Sequence, residues 1–292
     1  MLAPRRVLQH DLERMTHERN PQAEQMADES MRRTLAAQAD AIWPAEQALF
    51  ARYALQGSLQ IADIGCGSGE ITARLARLYP EARVLGVDIL KSSVVFAAER
   101  YAALAPRLHF EQGDAFELAV PEHTCDLVVC RHLTHAVPEP KKVVAELYRI
   151  CKPGGWVHVL SEDYGMLHFP LGVLDLDRLW QHGIFPYARA SGTDARVGRH
   201  TWPMLKRLGL QELRVDYVVV DTVRVPRATL AQIFEAWRDG YASVLGEKSQ
   251  LTPTETLALF NQAVASIRDE NSYAVWHVPI LSGRKPGAGA AE

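Results

Sequence analysis

Over residues 59–161, short apolar segments alternate with longer ones whose apolar positions recur every three or four residues. "LQIADI", "RVLGVD", "RLHFEQGD", "CDLVVC" and "GWVHVLSE" are short and rich in β-branched residues, the pattern of buried parallel strands. The stretches 70–79, 92–105 and 140–151 between them read as helices, closed by Pro80, Pro106 and "KPGG". This alternation predicts an α/β fold, a parallel sheet with helices on both faces. Ligands of such sheets sit beyond the carboxyl ends of the strands, so the residues that end each strand carry the chemistry.

The flanks follow other patterns. Residues 8–56 read as helical, with Met31, Leu35 and Ile42 at helical spacing. Beyond Ser161 the chain becomes rich in aromatics and glycine. A short helix is expected to start at Thr201 as its cap, with Pro203 in the first turn, and to stop at Gly209. "QELRVDYVVVDTVRV" reads as a strand and "YAVWHVPILSGRKP" as the last one. Between them, about 226–246 and 252–271 form two amphipathic helices, the first with Phe234, Trp237 and Tyr241 on its apolar stripe. The expected division is a helical cap over 1–58, a cofactor-binding core over 59–164 and a cap insertion over 165–200. A core helix and strand (201–225), a helical lid (226–271), the last strand (272–285) and a disordered tail (286–292) complete it.

Composition narrows the function. With 292 residues, 48% apolar, and a net charge of −3, no general field attracts polyanions, and no nucleic-acid partner is expected. No apolar run is long enough to cross a bilayer, and the opening "MLAPRRVLQHDLERMTHERN" lacks the apolar stretch of a signal peptide. The four cysteines make no C-x-x-C pair and read as buried thiols in a reducing cytoplasm, with no metal.

"IADIGCGSGE" over 61–70 is the most informative stretch. Glycines after a strand let backbone N–H groups and a helix N-terminus approach a polar ligand. The spacing departs from the dinucleotide fingerprint, and Glu70 would face a pyrophosphate, which disfavours a nicotinamide dehydrogenase. Asp63, before the glycines, suits an ammonium group. A ligand with an amino-acid end, a nucleoside and no phosphate is implied, and S-adenosylmethionine fits it.

"DIGCGSG", "GVD", "GDA", "CDLVVCRHLTHAVPEP" and "LYRICKPGG", in this order, resemble the class I S-adenosylmethionine-dependent methyltransferases, closest to the ubiquinone/menaquinone-biosynthesis type. The resemblance implies a Rossmann-like, mostly parallel seven-stranded sheet. It implies that Asp63, Gly65, Cys66, Gly67 and Gly69 pack on the methionyl part of the cofactor. Asp88 would accept hydrogen bonds from the ribose, Ile89 would flank the adenine, and Asp114 with Ala115 would meet its edge. Cys130 and Arg131 would lie beneath the methionyl group.

Methyl transfer requires an acceptor held in line in a dry site, and a proton-bearing acceptor also needs a base. His132, Glu162 and Asp163 are the catalytic candidates, since they lie just past the fourth and fifth strands. His132 reads equally as a group bonding the cofactor carboxylate or a backbone carbonyl. His135 reads as structure at the start of a helix. Tyr164, His168, Phe169 and Trp237 are candidates to bind the acceptor. The absence of an "NPPY"-like segment and the number of aromatics favour a small aromatic or largely apolar acceptor, as in specialised metabolism. A peptide acceptor, or a protein that keeps the cofactor without transferring methyl, is the alternative. A monomer or homodimer is expected.

Overall fold

The computed structural model describes residues 19–170 and 172–287. The expectations placed on 1–18 and on the tail over 288–292 lie outside the described residues.

The sheet is built from β1 (Gln60–Ile64), β2 (Arg83–Asp88), β3 (Leu108–Gln112), β4 (Cys125–Arg131) and β5 (Cys151–Leu160), all parallel, in the order β3-β2-β1-β4-β5. β8 (Val275–Arg284) joins β5 antiparallel, and β7 (Gln211–Asp221) pairs with the far side of β8. Among the described residues the sheet has eight strands rather than the seven expected. β5 pairs only with Ile280–Arg284 of β8, which leaves the start of β8 open on that side. The two-residue strand β6 (Leu167–His168) returns to pair with Val275 and Trp276 there.

Strict alternation of side chains divides the sheet residues between two faces. Ile61, Leu127 and Val129 face α3 (Glu70–Leu78) and α4 (Lys91–Arg100), in a cluster with Leu75, Ala97 and Phe110. Ala62, Ile64, Val128 and Cys130 face α5 (Pro140–Ile150) and α7 (Gly198–Arg207), with Val144, Leu147 and Leu205. The cis peptide Ala105–Pro106 lies before β3.

A third apolar cluster lies over the carboxyl edge of the sheet. α1 (Ala23–Ala27) leads into α2 (Glu29–Phe50), whose N-terminus is capped by Asp28 accepting from the Ser30 N–H. α2 packs along α8 (Arg227–Lys248), which packs on α9 (Pro253–Arg268). A π-helical turn over Leu179–Ile184 and α6 (Phe185–Ala190) close the same space. Phe234, Phe260 and Trp276 are fully enclosed in it.

α7 starts at Gly198, three residues before the expected cap. Thr201 is buried inside it, bonded to the Val197 carbonyl and the Ser161 hydroxyl, and Pro203 lies in the helix interior. The early start follows from a close approach to the segment after β5. The Gly198 N–H donates to the Glu162 carbonyl at 2.7 Å, and a Cβ on Gly198 would lie 2.4 Å from the Ser161 carbonyl oxygen. No helix of the described residues is long and apolar enough to cross a membrane.

Candidate active site

The glycine loop bends straight out of β1. Gly65, Gly67 and Gly69 all have positive φ, a region that side chains disfavour. At Gly67 a Cβ would lie 2.6 Å from Leu35 Cδ1, so α2 lies directly on the loop. At Gly69 it would strike Phe110 at 2.7 Å, which makes this glycine a packing requirement of the α3 start.

Beyond the loop opens a cavity with an empty volume of about 710 Å³, mouth included, lined by Gly65, Gly67, Asp88, Ile89, Asp114 and Ala115. Asp88 accepts from the Gly67 N–H at 2.8 Å and the Leu90 N–H at 2.9 Å, and burial raises its carboxyl pKa against those bonds. Asp114 accepts from the Phe116 N–H at 2.9 Å, and Arg19 approaches it over the Phe116 ring. A recess alongside is lined by Asp63, Cys66 and Arg131. Burial pushes Asp63 up to about 6, although Thr72 donates to it at 2.7 Å. Arg131 is held from behind by the fully buried Glu46 of α2 at 3.0 Å, and its Nη2 has no hydrogen-bond partner among the described residues. Glu46 in turn meets His158 at 3.1 Å, and His158 meets the Tyr53 hydroxyl at 2.7 Å.

A second cavity, about 720 Å³ with its mouth, abuts the first under α2 and the helical cap. Met26, Leu35 and His132 line both, so His132 stands at their shared wall. Its Nδ1 bonds Glu162 Oε1, while His135 Nδ1 bonds Glu162 Oε2 at 2.9 Å. Glu162 is fully buried. Burial opposes its ionisation, and the imidazoles of His135 and His132 outweigh burial, holding the carboxyl below its usual range. Burial also lowers the His132 pKa against the pull of Glu162. A neutral imidazole that donates from Nδ1 to a carboxylate leaves a lone pair on Nε2. That Nε2 is buried and without a partner among the described residues. His132 has a φ of +54°, so the chain leaves the alternation of β4 at the residue that must face Glu162.

A model described as "Methyltransferase domain" matches residues 61–155. The chain is 37% identical over 131 residues to the probable methyltransferase ltbC of Aspergillus luteorubrus, covering 41% of this chain and 45% of that one. It is 40% identical over 96 residues to trans-aconitate 2-methyltransferase of Deinococcus radiodurans, 33% of this chain and 35% of that one. The chain thus spans less than half the length of these curated relatives. Among solved structures, Haemonchus contortus phosphoethanolamine N-methyltransferase 2 superposes with a TM-score of 0.54 at 20% identity, over 84% of this chain and 53% of that one. The [4+2]-cyclase SpnF does so at 0.53 and 21%, over 83% and 80%. Residues 61–155 thus match a methyltransferase domain, and the fold around them is that of the class I S-adenosylmethionine-dependent methyltransferases.

The first cavity suits the cofactor of that family. In the recess alongside, Arg131 Nη2, without a partner among the described residues, and the Asp63 carboxylate offer opposite charges, as an amino-acid zwitterion requires, and the Asp88 carboxylate lies along the cavity itself. Two residues expected at the cofactor lie elsewhere in the methyltransferase fold. Alternation turns the Cys130 thiol into the core on the α5 face, and Gly69 serves packing against Phe110.

The catalytic and acceptor candidates divide similarly. His132 and Glu162 meet, but Asp163 does not join them. It is bound in bidentate fashion by Arg199 at 2.6 and 2.9 Å and accepts from the Gly165 N–H, on the α7 side. Tyr164 and Trp237 line the second cavity, with ring centroids 5.5 Å apart and edge-to-face. His168 is exposed on β6, and Phe169 packs edge-on to Phe234 at 5.3 Å; neither lines the cavity. His135, expected to be structural, reaches Glu162 instead. Glu46, Thr34, Gln38 and Tyr241 were not expected at the site. For His135 the one sequence signal was its place three residues after His132 in the turn that follows β4; the others carried none.

Proposed function

We propose that this protein transfers the methyl group of S-adenosylmethionine to a small, largely apolar acceptor, with His132 as the base. The observation that carries the reading is the buried, unpartnered His132 Nε2 at the wall between the two cavities, with Nδ1 on the buried carboxylate of Glu162. When bound, the cofactor supplies an electrophilic methyl group. The remaining work falls to the chain's own residues. Arg131, Asp63 and Asp88 are the groups available to hold the cofactor. α2 and the cap helices exclude water from the second cavity, which strengthens the electrostatics inside. His132 accepts the acceptor's proton, and Glu162 fixes the tautomer and stabilises the imidazolium that results.

Acceptor chemistry is narrowed by charge. Among the described residues, no lysine or arginine lines the second cavity. A tricarboxylate, the acceptor named for one relative, would find no cation there and a buried carboxylate nearby. Tyr164, Trp180, Tyr187, Trp237, Tyr241 and Phe260 contribute aromatic rings to the lining, which favours an aromatic acceptor.

Titration calorimetry with S-adenosylmethionine, followed by assay of S-adenosylhomocysteine release with uncharged aromatic acceptors, tests the proposal. Binding with turnover that His132→Asn abolishes is the expected outcome. Asparagine tolerates positive φ, so this variant keeps the backbone. Failure to bind the cofactor, or turnover unaffected in the variant, would sink the reading.

A further inference from the structure

The walls of the acceptor cavity contain three polar atoms with no hydrogen-bond partner among the described residues. His132 Nε2, the Trp180 indole Nε1 and the Thr34 hydroxyl are all buried and unpartnered, and all three residues line this cavity. Buried polar groups left unpaired cost free energy, so their clustering around one space marks what a ligand there supplies. The three are chemically unequal. An indole N–H only donates, a neutral Nε2 opposite a donating Nδ1 only accepts, and a hydroxyl does either.

The Trp180 ring is fixed. It stacks on Tyr164 with centroids 5.9 Å apart and planes 5° from parallel, and Tyr164 is held in turn by Trp237 and Trp276. Its N–H therefore has one orientation to offer. Met26, Leu35 and Ile184 add apolar lining, and Gln22 is already engaged by the Tyr241 hydroxyl at 2.9 Å.

We infer that the acceptor is an uncharged, flat aromatic molecule carrying a hydroxyl that faces His132 and a second oxygen, a carbonyl or ether, that accepts from Trp180 Nε1. The inference rests on the methyltransferase reading and extends it to substrate class and to a specificity residue. In the reaction the hydroxyl proton passes to His132 Nε2 and the oxygen forms the new bond to carbon. The electron pair of the broken S–CH₃ bond stays on sulfur. The positive charge thus moves from the sulfonium to an imidazolium beside Glu162, and the product is a methyl ether. Trp180 takes no part in the bond changes; it sets the orientation that brings the hydroxyl to His132.

Four probes test this by calorimetry on the full chain saturated with S-adenosylhomocysteine. They are 6-acetyl-2-naphthol, 6-isopropenyl-2-naphthol, in which a methylene replaces the ketone oxygen, 6-hydroxy-2-naphthoate and trans-aconitate. The ketone should bind about tenfold tighter than its isopropenyl analogue, the range of one net hydrogen bond. The two carboxylates should bind at least as weakly as that analogue. Trp180→Phe, which keeps a ring for the stack on Tyr164, should bring the ketone preference to about one and leave S-adenosylhomocysteine affinity unchanged. Equal binding of ketone and isopropenyl analogue by the wild type overturns the inference without any variant. So does a carboxylate that binds as well as the ketone, a Trp180→Phe chain that keeps the preference, or a ketone that does not bind. Failure of S-adenosylhomocysteine itself to bind would instead remove the cofactor reading on which the inference stands.

Discussion

Glu162→Gln separates the two functions that a buried carboxylate can have here. In the native chain each carboxylate oxygen accepts from one imidazole, Oε1 from His132 and Oε2 from His135. A glutamine amide of the same shape has one oxygen and one NH₂. If the oxygen faces His132, the base survives but the imidazolium loses its counter-charge. If the NH₂ faces His132, Nδ1 must become the acceptor and Nε2 carries the proton, so the base is lost. Either arrangement removes the general-base contribution in whole or part, a loss of about 10²–10⁴ in the chemical step. Stability should fall by at most about 3 kcal/mol, the size of one charge-assisted bond, because removing the charge also relieves its desolvation. Single-turnover rates with saturating cofactor and acceptor read the first effect, and thermal melts the second. Asp163→Asn is the contrasting variant. Its carboxylate binds Arg199 and the Gly165 N–H on the far side of the segment, so it should lower the melting temperature and leave the single-turnover rate within about threefold. A Glu162→Gln chain with a near-native rate, beside an Asp163→Asn chain that has lost it, would refute the assignment.

Burial lowers the His132 pKa below its ordinary 6.5, and Arg131 and His135 add to that fall while Glu162 opposes it. Only the deprotonated imidazole accepts a proton, so the single-turnover rate should be flat through neutral pH and fall on acidification below 6.5, as stopped-flow profiles would show. Gly67→Val places a branched side chain where even a Cβ would lie 2.6 Å from Leu35; cofactor affinity measured by calorimetry should fall more than tenfold. Glu46→Gln removes the anion behind Arg131 while leaving an amide for His158, and should weaken cofactor binding about tenfold with acceptor affinity unchanged.

The lining of the first cavity could be read in the sequence because its parts are local and lie at strand ends. Gly65 and Gly67 follow β1, Asp88 ends β2 with Ile89 next, and Asp114 and Ala115 lie just past β3, where the fold class alone puts a ligand. The two residues that went elsewhere went for reasons of local geometry. Cys130 precedes Arg131 on one strand, and neighbouring strand residues must face opposite sides, so both could not lie beneath one ligand. Asp163 follows Glu162 in the same way, one turned to the imidazoles and the other to Arg199. Alternation, applied one residue further, separates each pair.

The second cavity could not be read in this way, because no local pattern encodes it. Its wall joins Thr34 of α2, His132 after β4, Tyr164 after β5, Trp180 of the π-helical turn, Trp237 of α8 and Phe260 of α9. Each of those side chains sits on an apolar stripe or strand end that would look the same if it were simply packed. Trp237 shows the difficulty: it lines the cavity and is also enclosed by Phe234, Tyr164 and Trp276, so core and pocket are one surface. What distinguishes pocket from core here is unpaired polarity, which depends on partners that only the folded chain reveals. A tryptophan N–H or threonine hydroxyl in a sequence carries no sign of whether it is bonded. His132 is the exception that a sequence can flag, since an imidazole just past a strand end in an apolar stretch needs a partner. Its carboxylate lies thirty residues on, across a parallel strand pair, and the register of β4 with β5 brings the two together. The fold thus builds the His132–Glu162 pair through strand register and the second cavity through helix packing, and only the former leaves a periodic trace in the chain.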